Sequence, residues 1–399
     1  MTSEKLPVLV LKRNEDRRLR AGHLWVYSNE VDTAKTPLTA FTPGAAIAIQ
    51  SATGNTLGAG YINPHSLLCA RLLSRKPRTL FDVAFFTRRL KSALALRDVL
   101  YSAPFYRLVF GEGDALPGLV IDRYGDVCVV QITTAGMEAL REPMLEALQQ
   151  LLAPAGILLR NDSPLRALEG LSQENETLGR VPDSIVLEEG GAHFSVPLGS
   201  GQKTGWFYDQ RSNRQMMHKY VRGRRVLDVF SYIGAWGIQA AVAGAAGVHC
   251  VDAAAAALDN LQRNAAASGV TDRVQTIAGD AFDVLRDLQG QGRSFDVVVV
   301  DPPAFIKRRK DIKRGEQGYL RLNRLALQLL VPGGILISCS CSMHLAEARL
   351  QSIVHQAASQ SGRRLQILER GFQAPDHPVH PAIPETAYLK ALFCRSPEA

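Results

Sequence analysis

Short apolar segments alternate with helical patterns through the C-terminal half of the chain. The apolar segments end near residues 229, 251, 278 and 300, and an Ala-rich helix is expected over 253–267. The four consecutive valines at 297–300 are typical of a strand that is buried on both faces of a parallel sheet. One more strand is expected after the Pro-Gly-Gly turn at 332–334. This alternation predicts an α/β domain built on a mostly parallel sheet.

An aspartate closes each of the first four strands. These residues are Asp228, Asp252, Asp280 and Asp301. A single acid in this position is more often a helix N-cap, but four in succession are hard to explain that way. The carboxyl ends of the strands are where open α/β sheets bind ligands, and the two prolines after Asp301 fix its carboxylate at that edge. The pattern therefore predicts a ligand site that includes these acids.

The N-terminal part follows a different pattern, with short alternating strands and frequent turn residues. Residues 6–11 and 44–73 are punctuated by Pro43-Gly44 and by glycines such as Gly58, which predicts a small β-barrel-like module. Residues 76–188 predict a second, α+β module, with helices over 80–102 and 138–152 and strands over 106–110, 119–132 and 157–160. We expect this middle module to bind or orient a substrate.

Composition narrows the class of protein. With 399 residues and 46% hydrophobic content, the chain can bury two or three cores. It has no uncharged apolar run of about 18 residues, and its first twenty residues are charged throughout, so neither a membrane span nor a signal peptide is expected. The six cysteines show no Cys-x-x-Cys spacing and the nine histidines no ligand spacing, which predicts no metal site and a reducing, cytoplasmic location.

The net charge of +8 is unevenly distributed along the chain. Basic residues cluster directly after Asp301, beginning with Lys307, Arg308 and Arg309, and a second basic segment spans 71–91. A run of charges is often only a solvated surface, but a run beside a reacting centre attracts phosphates. The sequence therefore predicts a nucleic-acid substrate, and Phe305 is the ring closest to Asp301 that could stack on a base.

The segment Asp228-Val-Phe-Ser-Tyr-Ile-Gly234, together with the strand-end acids, resembles the class I S-adenosylmethionine-dependent methyltransferases over about residues 190–399. The resemblance implies a Rossmann-like domain and S-adenosylmethionine as cofactor. In that family the turn after Asp228 receives the methionine part, the acid at Asp252 binds the ribose hydroxyls, and the acid at Asp280 meets the adenine amino group. The implied cofactor-binding residues here include Asp228, Phe230, Ser231, Gly234, Asp252 and Asp280. Tyr232 stands where the family often has a glycine.

Residues 201–214 combine aromatic, basic and amide side chains on an expected hairpin turn. They could simply form a capping loop whose rings pack on the sheet. The segment Lys-Thr-Gly…Asp-Gln-Arg is, however, similar to one in RNA cytosine-5 methyltransferases of the large-subunit ribosomal type. There it lies close to cofactor and target, which implies cofactor contacts for Gln210 and Arg211 and a substrate contact for Lys203.

A thiol lies near the end of the strand that follows the Pro-Gly-Gly turn. Cys339 and Cys341 both belong to this segment, and the alternation of a strand puts them on the same side. Buried structural cysteines are common and inert. We favour Cys341 as a nucleophile because it stands at the carboxyl end of the strand, in Ser-Cys-Ser, where ligands bind.

The order of the motifs along the whole chain resembles the bacterial 23S ribosomal RNA 5-methylcytosine methyltransferases. Segments such as Pro43-Gly-Ala-Ala-Ile and Gly58-Ala-Gly-Tyr-Ile resemble a PUA domain, a small RNA-binding fold. The resemblance implies a PUA-like domain at 1–75, a middle α+β domain at 76–188 and a methyltransferase domain at 189–399. It also implies methyl transfer to C5 of a cytosine through a Cys341 adduct at C6, with Asp301 assisting the ring and Lys307, Arg308, Arg309 and Phe305 binding substrate.

Two other functions remain open from the sequence. One is a methyltransferase that acts on a nitrogen atom, on another base or on tRNA. The other is a non-catalytic RNA-binding assembly factor that has kept the fold. The expected partner is 23S ribosomal RNA, naked or within a subunit precursor, and a homodimer is compatible with the sequence. His377 and Lys390 could equally be structural or catalytic residues.

Overall fold

The computed structural model describes residues 6–199 and 205–398. The chain divides into two compact units. The first consists of Met1–Asp183, Leu198–Thr204 and Pro375–Thr386, and the second of Ser184–Pro197, Gly205–Ala374 and Ala387–Ala399. The three domain ranges expected from the sequence remain a prediction.

The first unit contains a small curled sheet whose strands follow the order β1-β3-β4-β5-β2. Its elements are β1 (Val8–Val10), α1 (Arg17–Arg20), β2 (Trp25–Val26), β3 (Ala46–Gln50), β4 (Thr56–Ile62) and β5 (Ala70–Ser74). A bridge between Leu11 and Val31, which follow the two edge strands, joins these edges. Apolar side chains such as Leu9, Ile47 and Leu72 are buried inside. The barrel-like module expected from the alternating pattern is thus formed.

A second five-stranded sheet of the first unit has the order β10-β9-β8-β7-β6. Asp82 starts the long helix α2 because its side chain accepts a hydrogen bond from the Phe85 N–H, as an N-cap does. The expected single strand over 119–132 is wrong, because a turn at Gly125 with φ of 66° divides it into a hairpin. The elements are α2 (Val83–Leu100), β6 (Phe105–Phe110), β7 (Leu119–Tyr124), β8 (Val127–Ile132), α3 (Ala135–Ala139), α4 (Arg141–Leu152), β9 (Gly156–Leu159), α5 (Pro164–Leu168) and β10 (Glu176–Gly179).

The second unit begins with the hairpin of β11 (Ser184–Glu189) and β12 (Ala192–Pro197) and continues into a seven-stranded sheet. The sheet alternates with helices along the chain. Its elements are α6 (Arg211–Val221), β13 (Arg225–Val229), α7 (Ala235–Val242), β14 (Gly247–Asp252), α8 (Ala255–Ala267), β15 (Val274–Ala278), α9 (Ala281–Gly290), β16 (Phe295–Val300), α10 (Ile312–Gln328), β17 (Leu330–Ser340), α11 (Glu347–Gln360), β18 (Gln366–Phe372) and β19 (Lys390–Arg395).

The strand order of this sheet is β15-β14-β13-β16-β17-β19-β18. The first five strands are parallel, and β19 runs antiparallel between β17 and β18. Val297–Val300 are fully buried, as expected for a central strand covered on both faces. The direction of the chain across the sheet reverses between β13 and β16, and such a switch point is where α/β sheets bind ligands. The predicted α/β fold is confirmed.

The expected hairpin turn at 201–214 is wrong for the part that the structure describes. Tyr208–Gln210 form a turn of 3-10 helix that leads directly into α6. Residues 200–204 lie outside the described residues. No helix of the described ranges is long and apolar enough to cross a membrane.

Candidate active site

Asp228 lies on β13 at the switch point and is fully buried. The Gly237 N–H donates to its Oδ2 at 2.9 Å, whereas its Oδ1 has no hydrogen-bond partner among the described residues. The pKa of Asp228 is raised to about 8, chiefly by burial and also by the charges of Asp301 and Asp252. A buried oxygen without a partner is unusual in a folded protein, so Asp228 is suited to a polar ligand.

The turn after β13 has an uncommon backbone conformation. Phe230, Tyr232 and Gly234 have φ values of 69°, 50° and 92°, all in the left-handed region. Tyr232 therefore adopts a backbone conformation that is strained for a residue with a side chain. The related enzymes often use glycine at this position. Ser231 is buried, and its Oγ has no partner in the described part of the chain. A Cβ on Gly234 would approach Ile238 Cδ1 to 2.6 Å, so this position has no room for a side chain.

Asp252 and Asp280 both support backbone at the carboxyl edge of the sheet. Asp252 accepts N–H bonds from Tyr232 at 2.8 Å and from Ala254 at 2.9 Å. Asp280 is the N-cap of α9 and accepts from the N–H groups of the next turn. A carboxylate has about four lone-pair sites, so these structural bonds leave each acid able to accept from a ligand as well.

Asp301 follows β16 and therefore lies on the strand next to Asp228. Gln210 Nε2 donates to its Oδ1 at 2.9 Å and Trp236 Nε1 donates to its Oδ2 at 3.0 Å. Burial raises the pKa of Asp301 to about 6, although these two hydrogen bonds oppose the rise. The carboxyl group is thus held in one orientation and titrates near neutral pH, which suits a proton donor or acceptor. The role of Trp236 has no signal in the sequence.

A buried carboxylate at Glu189 holds the Gln210–Arg211 segment in place. Arg211 Nε donates to Glu189 at 3.0 Å and Arg214 approaches it to 2.6 Å. Burial pushes the pKa of Glu189 upward, but the charges of Arg214 and Arg211 outweigh this effect and hold the pKa below its usual value. Sequence reasoning missed Glu189, which lies at the end of β11 and resembles any solvated strand residue. Lys203 lies outside the described residues.

The two candidate thiols differ in exposure. Cys341 is partly exposed, whereas Cys339 is buried. Cys341 Sγ lies 3.9 Å from the carbonyl oxygen of Pro302, the residue after Asp301. Burial raises the pKa of Cys339 well above its ordinary value, and the negative charge of Asp301 raises it too. Because the thiolate is the reactive form, these surroundings make Cys339 a poor nucleophile.

The two serines around Cys341 are anchored by a hydrogen-bond network. Ser340 Oγ and Ser342 Oγ each lie 2.8 Å from the hydroxyl of Tyr319 on α10. Ser342 Oγ also accepts from the Ile306 N–H at 3.1 Å. All three side chains of the network are buried. The network fixes the backbone on both sides of Cys341 and ties it to the segment after Asp301.

The residues of the Asp301 segment divide into a packed and an exposed group. The ring of Phe305 lies 4.8 Å from that of Tyr319, 6.3 Å from Phe282 and 6.5 Å from Phe230. It therefore belongs to an aromatic cluster beside the cofactor candidates. Lys307, Arg308 and Arg309 are exposed, and only Arg308 is near a described carboxylate, at 3.6 Å from Asp311.

The basic segment at 71–91 belongs to the first unit. Arg71 forms an ion pair with Glu169 at 3.7 Å, so its charge is already matched within the protein. Arg75 and Arg89 line a cavity of about 530 Å³ and donate to backbone carbonyl oxygens of His23 and Leu73.

His377 also lies in this unit, where it is buried and 2.8 Å from Asp376. Lys390 is at the start of β19, beside the end of β17.

Comparisons with known proteins identify the family. A sequence profile described as S-adenosylmethionine-dependent methyltransferase matches residues 145–395, and one described as PUA-like domain matches residues 9–75. Ribosomal RNA large subunit methyltransferase I of Aliivibrio fischeri (strain MJ11) is 37% identical over 395 residues, which cover 97% of this chain and 98% of the relative. The chain belongs to the ribosomal RNA large subunit methyltransferase I family. The expected family and its PUA-like domain are confirmed.

Solved structures share the fold of this family member. A Streptococcus mutans protein described as a SAM-dependent methyltransferase is 21% identical, with a TM-score of 0.82 over 98% of this chain and all of its own. The tRNA m1G37 methyltransferase of M. jannaschii is 15% identical, with a TM-score of 0.51 over 78% of this chain and 79% of its own. Because enzymes named for different products have this fold, the fold alone does not specify the methylated atom.

S-adenosylmethionine is the cofactor of the family, and the described residues fit it. The unpartnered oxygens of Asp228 and Ser231 are two buried polar atoms that a polar ligand would satisfy. Gly234 holds the turn in its left-handed conformation, and its missing Cβ leaves room for the side chains of Ile238 and Leu261. Within the described residues no group of His, Cys, Asp and Glu could hold a metal ion.

Proposed function

We propose that this protein transfers a methyl group from S-adenosylmethionine to C5 of a cytosine in 23S ribosomal RNA. The observation that carries the proposal is the partly exposed thiol of Cys341 beside the Asp301 segment, 3.9 Å from Pro302 O. Methylation of an exocyclic nitrogen needs no thiol, whereas C5 of cytosine is a poor nucleophile until the ring is activated. The name of the full-length relatives supports ribosomal RNA of the large subunit as the substrate.

The chemistry follows from the positions of Cys341 and Asp301. The Cys341 thiolate adds to C6, and the ring electrons move so that C5 becomes nucleophilic. Asp301 hydrogen-bonds or protonates the N3/N4 edge as negative charge develops there. Bound S-adenosylmethionine supplies the methyl group as an electrophile on sulfur. A base then removes the C5 proton, the thiolate leaves C6, and the aromatic ring is restored.

The cofactor site in this proposal is the carboxyl edge around β13. Gln210 and Arg211 are held beside it by Asp301 and Glu189. The proposed cofactor-binding residues are Asp228, Phe230, Ser231, Gly234, Asp252, Asp280, Gln210 and Arg211.

RNA binding in this proposal combines two surfaces. The exposed Lys307, Arg308 and Arg309 follow the reacting centre, and Phe305 belongs to the aromatic cluster beside it. The PUA-like domain supplies the second surface, with the Arg75 and Arg89 cavity in the same unit. The target cytosine must reach a thiol and a methyl donor at once, so we propose that it is unpaired or flipped out of its stack.

Analysis of the RNA product tests this function. Ribosomal RNA from a strain that lacks the gene is incubated with the purified protein and cofactor, digested to nucleosides and examined by mass spectrometry. We expect 5-methylcytidine to appear, and bisulfite sequencing of the same RNA locates it in 23S RNA. A methylated guanosine or adenosine, or N4-methylcytidine, would contradict the assignment of C5 and favour methylation of a nitrogen. Absence of both methylation and cofactor binding would favour a non-catalytic assembly factor.

A further inference from the structure

Lys390 is a buried lysine at the end of the strand that carries the candidate nucleophile. It is the first residue of β19 and stands opposite Ser340 in the antiparallel register with β17. The side chain is only 5% exposed. Lysine is among the residues that are least often buried, unless an opposite charge accompanies it.

The contacts of the ammonium are with carbonyl oxygens. Lys390 Nζ donates to the carbonyl oxygen of Ser342 at 2.7 Å and to that of Tyr388 at 2.8 Å. No carboxylate of the described residues forms an ion pair with it. Glu347 acts on it through its charge, while the Glu347 carboxylate forms an ion pair with Arg370. Burial lowers the pKa of Lys390 to about 8, as expected for a cation that lacks a neutralising partner.

We propose that Lys390 is a positioning residue that stabilises the thiolate of Cys341. The ammonium binds the carbonyl of Ser342, the residue after Cys341, and its charge interacts with the thiol. The ammonium donates to two carbonyls, which fix its position beside the residue after Cys341, and its charge acts on the thiol through space. This inference rests on the proposed role of Cys341 as the nucleophile.

Two other titratable groups that interact with Cys341 do not favour its ionisation. Tyr319 on α10 and Cys339 on β17 both interact with it, and each is held in the neutral form by burial. Asp301 carries a negative charge near Cys339, and the charge of Glu347 acts on Lys390. Lys390 is the cation among these named groups, and its positive charge favours the thiolate over the thiol.

Alkylation of the wild-type protein gives the first test. Iodoacetamide reacts with thiolates, and peptide mass spectrometry separates Cys341 from the five buried cysteines. We expect the alkylation rate of Cys341 to rise with pH around a midpoint clearly below the ordinary cysteine pKa of about 8.5. A wild-type midpoint at or above that value overturns the proposal, whatever the variants do.

Substitution of Lys390 gives the second test. Lys390→Met should raise the midpoint by about one unit, which lowers the alkylation rate near pH 7 by roughly tenfold and leaves the rate above the midpoint unchanged. Lys390→Arg keeps the charge and should restore a low midpoint. Lys219→Met removes an exposed charge, 56% exposed in its ion pair with Glu369, and should change nothing.

A structural role gives a different result. If Lys390 only supports the fold, the midpoint stays the same in Lys390→Met, and that outcome contradicts the proposal. Lys390→Gln keeps an N–H donor for the carbonyls and replaces the Met variant if the latter does not fold. The test needs neither RNA nor methylation. A midpoint that depends on Lys390 without formation of 5-methylcytidine would therefore overturn the proposed function alone.

Discussion

At the scale of single residues, Asp228 has an unusual carboxylate within the proposed cofactor site. It is fully buried, and one of its oxygens has no partner among the described residues. With its pKa raised to about 8, the free protein holds this group mainly protonated near neutral pH. A bound cation favours the ionised form, so we expect binding of the positively charged cofactor at Asp228 to expel the proton.

Cofactor affinity should therefore rise as the pH is raised from about 6 to about 7.5, by up to about tenfold per pH unit. At higher pH Asp228 is already deprotonated in a larger fraction of the protein, so binding has to remove fewer protons. Asp228→Asn cannot ionise and should bind more weakly without this slope. Titration calorimetry in two buffers of different ionisation enthalpy measures both the affinity and the proton release. The same slope in wild type and variant would remove Asp228 from the account.

Asp252 should contribute through hydrogen bonds to the ribose hydroxyls. A charge-assisted pair is typically worth ~1.5–3 kcal/mol, so Asp252→Ala should weaken cofactor binding by at least tenfold. Asp272 at the amino end of β15 is 77% exposed, and Asp272→Ala is the matched control. Equal affinities of the two variants in calorimetry would show that Asp252 does not hold the cofactor.

At the scale of elements, the turn between β13 and α7 decides the shape of the proposed cofactor site. Gly234 combines a φ of 92° with no space for a Cβ, since Ile238 Cδ1 and Leu261 Cγ would lie at 2.6 and 2.7 Å. Gly234→Ala should lower the thermal midpoint and the cofactor affinity together. Gly290, at the end of α9, has nothing within 4 Å of its added Cβ, so Gly290→Ala should leave both unchanged. Normal binding by Gly234→Ala would contradict the role of this turn.

The sequence predicts the elements of the site better than their contacts. Asp228 and Asp301 end apolar strands, and this local pattern suffices to place them at the same edge of a parallel sheet. The bonds of Trp236 and Gln210 to Asp301 arise only after folding, because residues 65 and 91 positions away converge on it. Similarly, Lys390 reaches Ser342 only because β19 enters the sheet antiparallel beside β17. The hairpin expected at 201–214 is wrong for a similar reason. Arg211 is held by Glu189, which lies 22 positions earlier in the chain, and the local sequence does not show this contact.

At the scale of the whole molecule, RNA binding should respond to salt because basic residues displace counterions from phosphates. Charge reversal at Lys307, Arg308 and Arg309 should reduce the slope of log affinity against log salt by roughly two, at about 0.7 per contact with single-stranded RNA. Cofactor binding should not change. The same reversal at the exposed Arg263, Arg286 and Arg293 is the control for net charge. An unchanged slope in fluorescence anisotropy would mean that 307–309 are only a solvated surface.

The most direct test of the whole account is covalent trapping with RNA that carries 5-fluorocytosine at the target. Fluorine cannot leave C5 as a proton, so the adduct between thiol and C6 should persist after methyl transfer and survive denaturing electrophoresis. We predict a trapped complex with the wild-type protein and with Cys339→Ala, and none with Cys341→Ala. A complex that survives Cys341→Ala but not Cys339→Ala would move the nucleophile by two residues. No complex with the wild-type protein, under conditions where RNA is methylated, would contradict cytosine-5 methylation.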